Sequence, residues 1–153
     1  MPVFFLDSSA LVKRYARETG TAWVFTLLRP STGNDIFIAS VTGIEVVSAV
    51  TRRQRGGSLS LRTAAKALAR VRRDFARRYI VAELTPAIVA RAMSLAERYA
   101  LRGYDAAQLA TALELNSRLV AKGHVLMLDS GDIELNAAAT AEGLDVDDPN
   151  HHP

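Results

Sequence analysis

Four short apolar runs, each set apart from the next by a stretch of helical character, restrict this chain more than any other feature. Val3-Phe4-Phe5-Leu6 and Val125-Leu126-Met127-Leu128 are apolar at every position, and Ile36-Phe37-Ile38-Ala39 is of the same kind. A strand with one wet face alternates apolar and polar residues; an uninterrupted run suits a strand covered on both sides. Tyr79 to Leu84, with Ile80 and Val81 at its centre, reads as another strand, and Leu144 to Val146 as a candidate fifth. Such strands alternating with helices imply a parallel sheet with helices on both faces. The expectation is an α/β fold: a three-layer α/β/α sandwich around a central, mostly parallel sheet of four to five strands.

The helical stretches carry their own punctuation. A helical turn holding Leu11, Val12 and Tyr15 ends at Gly20, and a short helix follows from Thr21 to Leu28. Thr42-Gly43-Ile44-Glu45 has the S/T-x-x-E spacing of a capping box and opens a helix that stops near Gly56-Gly57. Ser60 reads as the N-cap of a helix reaching Arg78. One side of it carries Leu61, Ala64, Leu68, Val71 and Phe75; the other carries Arg62, Lys66, Arg70, Arg73 and Arg77. Thr85-Pro86 opens a helix to Tyr99, another runs from near Asp105 to Lys122, and a short one passes through Ala137–Ala141. No repeat or linker interrupts this order. One domain is expected over 1–146, with 147–153 as a flexible tail.

Composition narrows the chemistry. The 153 residues include no cysteine, which removes disulfides and thiolate metal sites and agrees with a reducing, cytoplasmic setting. Three histidines, His124, His151 and His152, make structural zinc a poor fit, so any metal would be held mainly by oxygen. The apolar runs are strand-sized, far short of the ~20 residues a membrane span needs. The first strand begins within two residues of the N-terminus, leaving no room there for a signal peptide. A net charge of +3 is unevenly spread, with a basic block over residues 51–80 and an acidic stretch after Asp129. The basic block favours a polyanionic partner, although a solvated helix face explains any single arginine equally well.

The acids are the informative residues. In open parallel sheets, ligands bind beyond the carboxyl ends of the strands. Asp7 directly follows the first run, Glu45 lies in the first helical turn after the second, and Asp129 and Asp132 follow Val125–Leu128. Asp105 opens the helix that feeds that last strand. Each alone caps a helix or serves a turn as readily as it binds anything. Their coincidence at one edge is harder to dismiss, because two like charges ~4 Å apart repel by about 4 kcal/mol at an effective dielectric near 20. Several such pairs would offset much of a domain's ~5–15 kcal/mol stability. A divalent cation relieves that repulsion, and hard oxygen donors select Mg²⁺ or Mn²⁺, which points to a phosphoester substrate.

These motifs, in this order, resemble the PIN-domain ribonucleases, in particular the VapC-type toxins of toxin–antitoxin pairs. Phe5-Leu6-Asp7-Ser8-Ser9-Ala10-Leu11-Val12-Lys13 is similar to the family's opening motif, whose aspartate binds metal, and Thr42-Gly43-Ile44-Glu45 to its second. The segment Leu101 to Leu113, around Asp105, is the most specific match. Ser130-Gly131-Asp132 resembles the fourth motif, with a serine two residues before the aspartate. Asp129 departs from the pattern, since the family has an apolar strand residue there. The likeness runs from Val3 to about Val146. It implies a ribonuclease using Mg²⁺ or Mn²⁺ on Asp7, Glu45, Asp105 and Asp132, leaving 5′-phosphate and 3′-hydroxyl ends. It also implies a homodimer, held inactive by a co-encoded antitoxin whose tail crosses the groove.

Ser8, Ser9 and Ser130 are candidate supports for such a site, with helix capping the competing role. The basic stripe Arg62 to Arg77 suits an RNA backbone, an acidic antitoxin surface or plain solvent. Two other classes compete with the nuclease. An aspartate-based phosphatase would need a second Asp two residues after Asp7, where Ser9 stands, and a receiver domain would need paired acids at the end of the first strand. A non-catalytic RNA- or protein-binding module would bind without regard to chelators.

Overall fold

The computed structural model describes residues 2–152. Five strands form one all-parallel sheet: β1 (Val3–Leu6), β2 (Asp35–Ala39), β3 (Ile80–Ala82), β4 (Leu126–Asp129) and β5 (Asp145–Asp147). Their spatial order is β3-β2-β1-β4-β5, with Phe5 level with Phe37 on one side and Leu128 on the other. The helices are α1 (Ser8–Leu11), α2 (Thr21–Leu27), α3 (Thr42–Arg55), α4 (Leu61–Arg77), α5 (Pro86–Tyr99), α6 (Gly103–Val120) and α7 (Ile133–Ala141).

The pleat sorts the apolar runs into two cores. Val3, Phe5, Leu126 and Leu128 point into a cluster with α5, α6 and α7, where Leu95, Leu109 and Leu135 meet them. Leu6, Ile36 and Ile38 point the other way, toward Leu11, Val24, Val46, Val50 and Val71 of α1 to α4. This is the expected three-layer α/β/α sandwich, with five strands. Phe5 and Leu6 have no solvent exposure, and burying a side chain of that size contributes roughly 1.5–3 kcal/mol. Polar substitution at either position would open a core rather than a surface.

Several boundaries differ from the sequence reading, each for a physical reason. The capping box at Thr42 does not form: Val41 is the N-cap, and the Thr42 hydroxyl instead donates to Gln108 in α6. Leu61 lies 74% exposed at the start of α4 rather than on its buried face. α7 starts at Ile133, four residues before the expected Ala137, because Asp132 caps it by accepting from the Leu135 N–H at 2.9 Å.

The segment after Val146, expected to be a loose tail, packs onto the body. Asp147 completes β5, Pro149 is buried against Gly20, and Asn150 accepts a hydrogen bond from Lys13 at 2.8 Å. His152 stacks on Trp23 with ring centroids 3.9 Å apart. A Cβ at Gly20 would come 2.3 Å from the Pro149 carbonyl oxygen, and its φ of +84° is a glycine conformation, so only glycine admits this close approach. Among the described residues, no helix is long and apolar enough to cross a membrane.

Candidate active site

The chain leaves β1 toward β2 on one side and returns to β4 on the other, so the carboxyl ends of β1 and β4 form the switch point of the sheet. Crevices at such points are where open α/β sheets bind ligands. A groove of ≈ 530 Å³ opens there, and its lining includes Asp7, Glu45, Asp105 and Asp132. The four acids come from separate places in the chain: the end of β1, the first turns of α3 and α6, and the cap of α7.

Asp7 sits deepest. It is buried, and its carboxylate accepts from the Ala10 N–H at 2.9 Å, from Ser9 Oγ at 2.7 Å and from Ser130 Oγ at 3.1 Å. Ser9 in turn accepts from the Gly131 N–H, and Ser130 from the Asp132 N–H, so the two loops beyond β1 and β4 are tied together. Burial pushes the Asp7 carboxyl up to about 7 despite those hydrogen bonds, and the charge of Glu45 adds to the rise. The capping role and a groove-lining role thus coexist in one side chain.

Glu45 is half-buried and raised above the ordinary carboxylate range, first by burial and further by Asp105; hydrogen bonds from Ser8 and Gln108 oppose the rise. Gln108 Nε2 donates to Glu45 Oε1 at 2.7 Å. Asp105 is raised too, by burial and then by Asp132. Arg102 lies between these two, donating from Nε to Asp105 Oδ2 and from Nη2 to Asp132 Oδ2, both at 3.0 Å. Arg102 and Gln108 lay within the most specific motif, yet nothing in their spacing singled them out.

Asp129 is not part of the groove lining. It is fully buried and accepts from Trp23 Nε1 at 3.4 Å, and among the described residues its Oδ2 has no hydrogen-bond partner. Burial and then the charge of Asp147 push its carboxyl up to about 8. Of Asp129, which ends β4, and Asp132, which lies beyond it, only Asp132 lines the groove.

The donor set is all carboxylate, which suits a hard divalent cation such as Mg²⁺ or Mn²⁺. Asp7, Glu45 and Asp105 all have raised proton affinities, first through burial and further through a neighbouring carboxylate in the same groove. Among the described residues, no group of three or more Asp, Glu, His or Cys side chains is closed into a coordination shell. The guanidinium of Arg102 bridges two of the acids that such a shell would use. In chemistry the residues fit the metal: four carboxylates from four parts of the chain line one groove.

A family model described as PIN domain matches residues 4–126, a span that holds Asp7, Glu45 and Asp105 and stops short of Asp132. No curated protein sequence matches. Solved structures resemble the chain at low identity. FitAcB from Neisseria gonorrhoeae is 20% identical with a TM-score of 0.62, covering 97% of this chain and 99% of that one. VapC20 from Mycobacterium tuberculosis, described as a sarcin–ricin loop cleaving toxin, is 17% identical with a TM-score of 0.60, covering 92% and 95%. DNA-bound VapBC from Salmonella typhimurium is 19% identical with a TM-score of 0.59, covering 97% and 99%. At these identities the likeness speaks to the fold.

Proposed function

Because this chain belongs to the PIN-domain family, we propose that it is a Mg²⁺- or Mn²⁺-dependent ribonuclease, the toxin of a toxin–antitoxin pair acting in the cytoplasm. The observation that carries the reading is the convergence of Asp7, Glu45, Asp105 and Asp132 on one groove at the switch point of the sheet. These four residues would hold the cation. Bound there, it would supply charge neutralisation at the scissile phosphate and a more acidic attacking water.

The chain's own side chains supply the rest. Ser9 and Ser130 fix both oxygens of Asp7 toward the groove, and Gln108 fixes Glu45. The groove is open on its solvent side, as a polymer substrate requires. Hydrolysis by water leaves a 5′-phosphate and a 3′-hydroxyl. Structural neighbours solved as toxin–antitoxin complexes support an antitoxin as partner for this chain as well, and the homodimer follows from the family resemblance alone. The phosphatase and receiver readings gain nothing, since Ser9 is engaged in holding Asp7 and no second acid stands beside it on β1.

The test is to sequence the ends of RNA incubated with the purified protein, with Mg²⁺ or Mn²⁺ and with EDTA. Metal-dependent cuts bearing 5′-phosphates are expected. RNA binding without cleavage, indifferent to EDTA, would overturn the enzymatic reading in favour of a binding module.

A further inference from the structure

Arg102 is out of character with the groove it reaches into. It is the N-cap of α6, extended at φ −63° and ψ 153°, and its side chain is 77% exposed. Even so, its guanidinium turns inward and spans the gap between Asp105 Oδ2 and Asp132 Oδ2. Exposed ion pairs are individually weak and cost side-chain freedom, so this one reflects the surplus of carboxylate around it. The groove lining holds four acids against two basic residues, Arg52 and Arg102. The oxygens that Arg102 occupies are on two of the four side chains assigned above to a divalent cation.

We propose that Arg102 is a resident counterion that the divalent cation displaces, and that the freed guanidinium then grips a backbone phosphate of the RNA. The inference rests on reading the groove as a metal site. Asp105 Oδ2 and Asp132 Oδ2 serve either the guanidinium or a cation between them, so loading is an exchange. The planar fork that fits a carboxylate fits a phosphate equally well. Its exposed position at the mouth of the groove leaves the side chain free to turn from one to the other. Metal-free protein is thereby kept from the repulsion of its own acids, and metal loading delivers a phosphate-binding group to the rim.

Loss of Arg102 therefore has two effects of opposite sign. Arg102→Ala should bind Mn²⁺ more tightly, by about threefold to tenfold, the scale on which two exposed pairs oppose a competitor. The same variant should bind a single-stranded RNA more weakly in Ca²⁺, with a salt dependence shallower by about 0.7 in log–log slope, one phosphate contact on a single strand. A purely structural residue would weaken both ligands or neither. The experiment is a Mn²⁺ titration by calorimetry, and RNA anisotropy across a salt series, on full-length wild type, Arg102→Ala and Arg102→Lys. Arg102→Lys keeps the charge without the fork and should fall between the other two in both assays. Equal or weaker Mn²⁺ binding by Arg102→Ala would overturn the counterion role while leaving the nuclease reading intact. Unchanged RNA affinity would overturn the phosphate role. Failure of all three proteins to bind Mn²⁺ would overturn the metal site itself, and with it this inference.

Discussion

The amide of Gln108 donates to Glu45 Oε1 at 2.7 Å from a position with no solvent exposure, while its oxygen accepts from the buried Thr42 hydroxyl at 2.9 Å. One side chain of α6 thus orients an acid of α3 and satisfies the residue that begins α3. Gln108→Leu leaves the Thr42 hydroxyl without an acceptor and Glu45 without its guide. The expected outcome is a loss of about 1–3 kcal/mol in urea unfolding and a roughly 10–100-fold weaker Mn²⁺ affinity by calorimetry. Unchanged metal affinity would mean that Glu45 needs no orienting partner.

Asp129 is where stability should depend on pH. Burial raises its carboxyl from the ordinary 3.8 to about 8, so between those values the folded state holds a proton that the unfolded state releases. The sign follows by linkage: this stabilisation is whole below about pH 4 and is lost as pH climbs through about 8. Asp129→Asn should flatten that slope and raise stability at neutral pH by on the order of a few kcal/mol. Melting curves between pH 4 and 9 would show it. A variant with the wild-type slope contradicts the assignment.

Asp74 of α4 anchors the segment that follows α1. It accepts from Arg14 Nε at 2.7 Å and Tyr15 Oη at 3.1 Å, with Arg14 and Asp74 side chains only 8% and 5% exposed. Removing one partner strands the other charge. Asp74→Ala should cost about 3–5 kcal/mol, measured by denaturant unfolding, with metal affinity unaltered. A loss under about 1 kcal/mol would show the pair to be solvated.

The segment 149–152 should behave as part of the body. Truncation before Pro149 removes an acceptor from the buried amine of Lys13 and the stacked ring from Trp23. A loss of roughly 1–3 kcal/mol is expected from those two contacts together. A truncated protein with the wild-type melting temperature would restore the loose-tail reading.

That segment also shows where sequence legibility ends. The β1, β2 and β4 runs are readable because burial on both faces leaves a local signature; Asp7 is readable because it directly follows such a run, and Glu45 and Asp132 because they lie a few residues beyond one. Lys13 and Asn150 are 137 positions apart, and nothing near either announces the bond. Thr42 looks like a cap because its neighbours spell one; in the fold the Glu45 N–H donates to the Val41 carbonyl, and the Thr42 hydroxyl donates to a buried amide 66 residues away. Arg102 is an ordinary N-cap position of α6 until Asp132 at the start of α7 is folded beside it. Local spacing predicts elements and their ends; the partners inside the groove come only with the tertiary fold.

The central claim is that these acids share one divalent cation, and thermal shift measures it most directly. A ligand bound only by the folded state raises its melting temperature. Wild type should gain several degrees in excess Mn²⁺, while Asp7→Asn and Asp105→Asn should each gain little or nothing. Equal gains in all three proteins would contradict a shared site.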